Sequence, residues 1–316
     1  MKRIVLFIVA VAAMVAVDAA PKSVEKTDMR VGTYNVWSHL ARQWKIGRNE
    51  ASETRCWENS RQAVAELIVK LDCDIMGLQE VTDLCRDDLN RLLRKCGGGH
   101  YKQLWINTYP EGYINALGKK TVVGNSILYN KRLLKVEKSQ IYYLSPTPAQ
   151  ITKGWDEKRH YRAATMTTVR HKKTGQRFCF IATHGPLKRE ASAHAAEVLV
   201  NLDNYCNLEG LPTIVVGDMN AWPGQPFLDT MKSHYNDAFD HAEKRCGSIG
   251  TYASSKELET HFEKPRRRID HIYYRSTDKG NIKVHTYTVN RDKYPIAGRQ
   301  HYPSDHNPGY VNLTIE

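Results

Sequence analysis

The sequence lacks the glycine-rich loops that bind nucleotide phosphates: neither GxGxxG nor GxxxxGK[ST] occurs along its 316 residues. It also lacks internal repeats, low-complexity tracts and a Ser/Gly/Pro-rich linker. These absences exclude a dinucleotide-binding Rossmann domain, a P-loop NTPase and a repeat solenoid. Because nothing divides the chain and single α/β domains of this size are common, we expect one domain over residues 20–316.

Cysteine occurs at seven positions but forms no pattern typical of a metal or disulfide framework. There is no CxxC pair and no Cys/His spacing of a zinc site. The segment between Cys85 and Cys96 is interpreted as helical, so it spans roughly 16 Å and exceeds the ~7 Å limit for bridged Cα atoms. Cys73 and Cys179 lie in or beside apolar strands, where cysteine commonly packs as a small core residue. We therefore assign no disulfide and no zinc site.

The N-terminal apolar run is too short to cross a membrane. Ile4–Val17 has fourteen residues, whereas a spanning helix needs about 20. The run follows Lys2 and Arg3 and precedes the small-residue triplet Val17-Asp18-Ala19, which is the order of a secretory signal peptide. We expect residues 1–19 to be cleaved, giving a secreted or periplasmic protein with no stable membrane anchor, and no obligate protein partner is evident.

Charge is strongly biased to one sign. The formal net charge is +12, and removing residues 1–19, with Lys2, Arg3 and Asp18, leaves +11. A balance of this size attracts polyanions such as nucleic acid, anionic lipid surfaces or phosphorylated small molecules. A solvated surface is the alternative, but the run Lys264-Pro265-Arg266-Arg267-Arg268 directly precedes a strand with Asp270, so we expect it to meet substrate.

Helical and strand patterns alternate along the chain. Apolar residues recur at helical spacing from Glu58 to Leu71 and from Glu190 to Tyr205, and each segment directly precedes an apolar strand. Asn125–Tyr129 and Arg162–Val169 are interpreted as strands paired in antiparallel fashion, with the proline-rich turn 145–148 between them. The mixture predicts mixed sheets covered by helices and not a purely parallel Rossmann sheet.

Polar residues stand at the ends of six apolar segments. These residues are Asn35, Glu80, His184, Asp218 with Asn220, Asp270, and Asp305 with His306. Sheet edges are where α/β proteins place chemistry, because the strands hold polar groups rigidly and the following loops leave room for a ligand. We therefore expect these side chains to form one site.

The residue types at these positions suit phosphate-ester hydrolysis. Carboxylate and amide oxygens bind Mg²⁺, Mn²⁺ or Ca²⁺ in preference to a soft metal. His184 and His306 add groups that transfer protons near neutral pH. A divalent ion neutralises phosphate charge, a His–Asp pair activates water, and amides bind the non-bridging oxygens.

Each of these residues taken alone also fits a structural role. Asn35 and Asn220 suit turns, and Glu80 suits a helix start. Asp270 could pair with Arg267 or Arg268. The combination in this order, more than any single member, favours a catalytic site.

The ordered motifs resemble those of the endonuclease/exonuclease/phosphatase superfamily, over essentially the whole chain after the signal. They are Gly32-Thr33-Tyr34-Asn35, Gly77-Leu78-Gln79-Glu80-Val81, Ala182-Thr183-His184, Gly217-Asp218-Met219-Asn220, Arg268-Ile269-Asp270-His271-Ile272 and Ser304-Asp305-His306-Asn307-Pro308. Two further segments, from Gly124-Asn125-Ser126 and from Tyr161-Arg162-Ala163, resemble exported bacterial members. The resemblance implies a four-layered α/β sandwich, with two mixed β-sheets packed face to face and helices outside.

The resemblance also implies a role for each residue. Glu80 and Asp305 would hold the divalent ion, expected to be Mg²⁺, with Asn35 beside it. His306, oriented by Asp270, would activate water, while Asp218 remains a second candidate for the base. The other implied contacts, to the leaving oxygen, the nucleophile, the phosphate or the substrate, belong to His184, Asp218, Asn220, Arg162, Asn125 and Arg268.

Two segments depart from the family pattern. Residues 38–53 are more basic and polar than a minimal member needs, and residues 291–302 are rich in Tyr, Arg and His. Such inserts lie where family members select substrate, so we expect them to affect substrate identity and not the core chemistry.

The leading hypothesis is a secreted metal-dependent phosphodiesterase, specifically a nuclease. The positive charge supports it, as do aromatic residues near the motifs that could stack on bases: Tyr34, Trp37, Trp222 and Tyr302. The first alternative is a phosphatase or a phospholipid hydrolase acting on sphingomyelin or inositol phosphates. The second is a non-catalytic module that binds polyanions, which the retained histidines and carboxylates disfavour.

Overall fold

The computed structural model describes residues 25–38, 56–114, 120–155, 161–252 and 263–316. Residues 1–19, where a signal peptide is predicted, and residues 39–53 of the basic segment lie outside these ranges. Within them, no helix combines the length and apolar character required to span a bilayer.

The strands and helices alternate along the chain. The strands are β1 (Thr27–Asn35), β2 (Ile75–Thr82), β3 (Tyr101–Asn107), β4 (Tyr113–Ile114), β5 (Lys120–Thr121), β6 (Val123–Asn130), β7 (Leu134–Tyr143), β8 (Ala163–His171), β9 (Arg177–His184), β10 (Thr213–Asp218), β11 (Asn236–Asp237), β12 (Lys244–Gly247), β13 (Asp270–Arg275), β14 (Ile282–Val289), β15 (Tyr294–Ile296), β16 (Arg299–His301) and β17 (Gly309–Ile315). The helices are α1 (Trp57–Leu71), α2 (Asp83–Lys95), α3 (Arg189–Cys206), α4 (Pro226–Lys232) and α5 (Ala238–His241).

The two long helices predicted from apolar spacing are confirmed within one residue at each end, as α1 and α3. The segment between Cys85 and Cys96 is helical, as predicted, in α2. Cys73 and Cys179 are buried, and all seven thiols are free.

Two mixed sheets form the centre of the described structure. One has seven strands in the order β12-β14-β17-β1-β2-β6-β3, and the other has six in the order β11-β13-β10-β9-β8-β7. Parallel neighbours, β1 with β2 and β9 with β10, occur beside antiparallel ones such as β1 with β17 and β10 with β13. The predicted mixed sheets are thus confirmed.

Three apolar clusters hold four layers together. Inner-face residues of both sheets, including Val31, Phe180 and Val216, pack against one another in the centre. The opposite face of the seven-stranded sheet packs against α1 and α2, with Leu67 in this cluster. The opposite face of the six-stranded sheet packs against α3 and α4, with Leu199 in this cluster. The predicted four-layered sandwich is therefore confirmed.

One predicted strand pairing is wrong. Asn125–Tyr129 lies in β6, which pairs with β2 and β3, whereas Arg162–Val169 contributes to β8, which pairs with β7 and β9 in the other sheet. The strand that follows β6, β7, crosses to the second sheet. As an edge strand with mostly exposed or half-buried residues, it lacks the alternation that would reveal a strand in the sequence.

The alternation of side chains along each strand determines where the site lies. Side chains of alternate residues point to the same face, and in β10 the buried inner row Ile214, Val216 continues to Asp218. In β9 the row of Phe180 and Ala182 continues in the same way to His184. The site is consequently the polar end of the core between the two sheets.

Candidate active site

Three site residues lie side by side at one end of the six-stranded sheet. Asp218 is in register with His184 on β9 and with Asp270 on β13. The Nε2 atom of His184 lies 3.5 Å from Oδ2 of Asp218. The strand ends are held close because Gly217 and Gly185 have no side chain. A Cβ atom at Gly217 would lie 2.1 Å from the Thr183 carbonyl oxygen, and one at Gly185 would lie 2.4 Å from that of Met219.

His306 lies between two carboxylates. Its Nδ1–H donates to Oδ2 of Asp270 at 2.8 Å, and its Nε2 lies 3.7 Å from Oδ2 of Asp218. The structure therefore places the predicted His306–Asp270 pair in direct contact. Of the alternatives for Asp270, neither Arg267 nor Arg268 is its partner among the described contacts, whereas Thr251 donates its hydroxyl to the carboxylate at 2.6 Å.

Burial and mutual charge shift the acid–base properties of this pair. Burial raises the pKa of Asp218 to about 7; the nearby His306 opposes the shift and Asp270 adds to it. Burial alone would lower the pKa of His306, but the carboxylates of Asp270 and Asp218 outweigh it and raise the pKa to about 10. The imidazole of His306 therefore keeps its proton near neutral pH and faces the carboxylate of Asp218.

Asn35 and Glu80 reach the same place from the seven-stranded sheet. The Asn35 amide donates from Nδ2 to Oε1 of Glu80 and to Oδ2 of Asp218, both at 3.0 Å. Its oxygen accepts from the backbone N–H of Trp37 at 3.1 Å. Asn35 thus joins carboxylates of the two sheets, and its nitrogen faces them.

A bulge in β2 aims Glu80 into the site. The register of β2 against β6 shifts between Leu78 and Val81, and Glu80 has a positive φ of 57°. Trp37 and Asn220 also have positive φ, at 47° and 50°. Non-glycine residues seldom adopt this conformation, and such backbone strain is concentrated at functional sites.

Asn220 and the loop after β10 are fixed by the same carboxylate. The Asn220 backbone N–H donates to Oδ1 of Asp218 at 2.9 Å, and its side-chain amide donates to the Gly185 carbonyl at 3.0 Å. Asp218 therefore organises the loop with one oxygen and faces His184, His306 and Asn35 with the other.

Ser304 ties the last motif to the first. Its hydroxyl donates to the Asn35 carbonyl at 2.8 Å and accepts from the His306 backbone N–H at 3.1 Å. Asp305 lies between Ser304 and His306 and is half-buried. The predicted residues Asn35, Asp305 and His306 are therefore brought together across the whole length of the chain.

The donor chemistry fits a hard divalent cation. Among the described residues, two sets of three have ligand atoms within 4.8 Å of one another: Glu80 with His184 and Asp218, and Asp218 with Asp270 and His306. Asp305 belongs to neither set. The Asn35 amide bonds to the carboxylates of Glu80 and Asp218, so it is positioned to orient them.

The predicted phosphate contacts have different surroundings. The side chain of Asn125 is buried and donates to the Ala163 carbonyl at 2.7 Å, directly after Arg162, which is 9% exposed. Both therefore lie where β6 and β8 begin, beside the ends of β2 and β9.

Arg268 does not face the site, which corrects its assignment to substrate. The residue is 2% exposed, and its guanidinium donates to both oxygens of Asp237, at 2.9 and 3.1 Å, and to Nδ1 of His271 at 3.0 Å. The Nε2–H of His271 donates to the Ala221 carbonyl at 3.0 Å. Arg268 therefore supports the loop after Asn220 from within the protein.

Neutralising Asp237 should destabilise the fold. Although burial opposes its charge, His271 and Arg268 hold the pKa of Asp237 well below its usual range. Asp237→Asn leaves the Arg268 cation uncompensated, and we expect the free energy of unfolding in urea to fall by about 3–5 kcal/mol. Asp240→Asn, which breaks only the exposed pair with Lys232, should cost about 1 kcal/mol or less. Equal effects would contradict a structural role for the buried pair.

Thr251 and Tyr252 complete the site although no sequence motif marks them. The Thr251 hydroxyl accepts from the backbone N–H groups of Ile269 and Asp270 at 3.2 and 3.1 Å and donates to the Asp270 carboxylate. The Tyr252 ring packs against His306. Their roles depend on contacts with distant residues, so only the fold reveals them.

The four aromatic residues that are candidates for stacking on bases differ in how far they are buried. Tyr34 is fully buried in the cluster beneath α1, and Tyr302 is 3% exposed, so neither presents a face to a base. Trp37 and Trp222 are half-buried at the site, and the Arg189 guanidinium lies 5.3 Å from the Trp222 ring centroid. Only these two remain candidates for stacking.

Known proteins share this sequence pattern and fold. The sequence profile of the Endonuclease/Exonuclease/phosphatase family matches residues 32–306. Nocturnin of Mus musculus is 24% identical over 289 residues, covering 85% of this chain and 62% of the relative, so the chain spans less than two thirds of that protein.

Two solved structures from Bacteroides thetaiotaomicron share the fold at 22% sequence identity. An endonuclease/exonuclease/phosphatase family protein has a TM-score of 0.78 and covers 93% of this chain and 97% of its own. A mannosyl-6-phosphatase has a TM-score of 0.72 and covers 90% and 99%.

Proposed function

The chain belongs to the endonuclease/exonuclease/phosphatase family, and on this premise we propose that it is a Mg²⁺-dependent phosphodiester hydrolase that acts on nucleic acid. Members of the family are metal-dependent phosphoric ester hydrolases. The observation that carries the assignment is the meeting of Asp218, His184 and the His306–Asp270 pair with Glu80 at one end of the sandwich.

Glu80 and Asp305 would hold the metal, with Asn35 beside it as an orienting amide. The ion would supply a Lewis acid that neutralises charge on the phosphate. Asn35 donates a hydrogen bond to the Glu80 carboxylate and one to the Asp218 carboxylate, and so holds both in fixed positions. This preorganisation is what allows carboxylates and amides to stabilise a charged transition state.

The proton of the attacking water passes to Asp218, whose carboxylate faces the protonated imidazole of His306. Their facing atoms lie 3.7 Å apart, and Asp270 fixes the orientation of the imidazole from the other side. His184 lies on the opposite side of Asp218, where it can protonate the leaving oxygen. Asn220, whose backbone is locked by Asp218, binds a non-bridging phosphate oxygen.

Nucleic acid is the proposed substrate because of charge and exposed rings. The chain carries a formal charge of +12, and Lys264 and Arg266 are exposed on the segment leading to Asp270. Trp37 and Trp222 offer partly exposed rings beside the site. A phosphomonoesterase acting on a sugar phosphate is the second candidate, because the fold is similar to that of a mannosyl-6-phosphatase. In either case we expect the enzyme to act outside the cytoplasm, after removal of residues 1–19.

A substrate panel separates these functions. Purified protein with Mg²⁺ would be given plasmid DNA, RNA, mannose 6-phosphate, inositol phosphates and sphingomyelin, beside the His306→Ala variant. We expect nicking or degradation of nucleic acid that the variant loses. Hydrolysis confined to the phosphomonoesters or to the lipid would contradict the nuclease assignment, and DNA binding without turnover would indicate a binding module.

A further inference from the structure

Tyr252 connects His306 to a basic turn, defined here as Lys264–Arg267. Tyr252 forms a β-bridge with His306, and the two ring centroids lie 4.9 Å apart. The Arg267 guanidinium carbon lies 5.7 Å from the centroid of the Tyr252 ring. The backbone N–H groups of Thr251 and Tyr252 both donate to the Arg267 carbonyl, at 2.9 and 3.0 Å. Arg267 is therefore fixed in place, and the Tyr252 ring lies between its guanidinium and the imidazole of His306.

The charges of the basic turn are not neutralised within the described part of the chain. Lys264 and Arg266 are exposed, and no ion pair among the described residues joins either of them, or Arg267, to a carboxylate. Glu263, the acid next to the turn, pairs instead with Arg291 at 2.7 Å. Within the described ranges, the Nε atom of Arg267 is buried and has no hydrogen-bond partner.

The neighbouring Arg268 is an arginine whose charge is paired with a carboxylate. Arg268 has a bidentate carboxylate partner in Asp237 and is almost fully buried. Arg267 has no such carboxylate in the described structure, yet its backbone and its ring contact hold it in place. A positioned guanidinium with unused donors is suited to a phosphate, which it can bind through two parallel hydrogen bonds.

We propose that Tyr252 and Arg267 form a subsite that binds a second, non-reacting phosphate of the substrate, next to the reacting one. The inference rests on the proposed function, because the second phosphate is that of the adjoining nucleotide in a nucleic acid strand. The Tyr252 ring supports the guanidinium through a cation–π contact, and Lys264 and Arg266 add positive potential that attracts the strand. The subsite makes the enzyme prefer substrates with two or more phosphates over simple phosphate esters.

Calorimetric binding of two nucleotides tests the subsite without requiring nuclease activity. With Mg²⁺ present, adenosine 3′,5′-bisphosphate should bind the wild type about 10-fold or more tightly than adenosine 5′-monophosphate, because it adds a charge-assisted contact. Arg267→Gln should remove this preference while leaving monophosphate affinity unchanged. Arg267→Lys, which keeps the positive charge but loses the planar set of guanidinium donors, should retain part of the preference for the bisphosphate.

A matched control is Arg132→Gln, which removes the same charge from an exposed position in the β6–β7 turn, at the opposite end of the strands. It should preserve the preference for the bisphosphate. Equal affinity of the wild type for the two nucleotides, no binding of either, or equal loss in Arg267→Gln and Arg132→Gln would overturn the proposal.

Hydrolysis separates failure of the subsite from failure of the proposed function. Bis(p-nitrophenyl) phosphate has one phosphate, so Arg267→Gln should leave its kcat/KM unchanged while lowering kcat/KM for a short oligonucleotide by about 10-fold, mainly through KM. Wild type that cleaves the small diester but no oligonucleotide would contradict the nucleic-acid assignment, and the calorimetric comparison would still decide the subsite. A loss on both substrates would show that Arg267 acts on the catalytic pair and not on a second phosphate.

Discussion

Replacing His306 with alanine should lower kcat for phosphodiester hydrolysis by about 10²–10⁴-fold. The imidazole lies between Asp270 and Asp218, at 2.8 and 3.7 Å, and is the group through which Asp270 contributes to proton transfer. Its removal takes away the imidazole that faces the Asp218 carboxylate. KM should change far less than kcat, because the contacts assigned to the phosphate and the metal remain.

Two further variants make this prediction specific. Asp270→Asn keeps the packing but removes the charge that orients His306, so it should also lower kcat, though by less than His306→Ala. His241→Ala removes an exposed histidine of α5 and should leave kcat unchanged. Thermal unfolding of each variant establishes that it is folded. If folded His306→Ala retained wild-type kcat, the assignment of His306 to the chemistry would be wrong.

Replacing Glu80 with glutamine should abolish productive metal binding. Glutamine keeps the size of the side chain but loses the charge that a divalent cation requires. Loss of an outer-sphere partner alone typically costs 10–100-fold in metal affinity, so we expect the Mg²⁺ concentration for half-maximal activity to rise by about 100-fold or more.

Thermal stability provides a readout of the same prediction that does not depend on turnover. At 100 times the dissociation constant, a ligand that binds only the folded state stabilises it by about 2.7 kcal/mol. Mg²⁺ should therefore raise the Tm of the wild type and of Glu66→Gln, a control for an exposed carboxylate on α1, but not that of Glu80→Gln. Equal stabilisation of all three would place the metal elsewhere.

Much of the site was predictable because strand ends are visible in the sequence. The apolar run before Asp218 and the one before His184 each stop at a polar residue, and both strands were confirmed with these residues at their ends. Because alternate residues of a strand point to the same face, the side chains of Asp218 and His184 then lie on the inner face. Which strands are neighbours was not predictable in the same way, because pairing depends on long-range packing.

Two errors show where local patterns fail. Arg268 belongs to a run of positive charge, which predicts a contact with substrate, yet its partner Asp237 lies 31 positions away and draws it into the core. The β6–β8 pairing failed because the intervening β7 is a largely polar edge strand. Thr251, which bonds to Asp270, carries no local signal, since its role depends on a residue 19 positions away.

The central claim is that Glu80 and Asp305 hold a single divalent metal ion at this end of the sandwich. Anomalous diffraction from a crystal soaked in Mn²⁺ tests it most directly, because Mn²⁺ accepts the same oxygen ligands as Mg²⁺. We predict one peak in contact with the carboxylates of Glu80 and Asp305. A peak between Asp218, Asp270 and His306 that does not touch Glu80, or no peak at this end of the sandwich, would contradict the account.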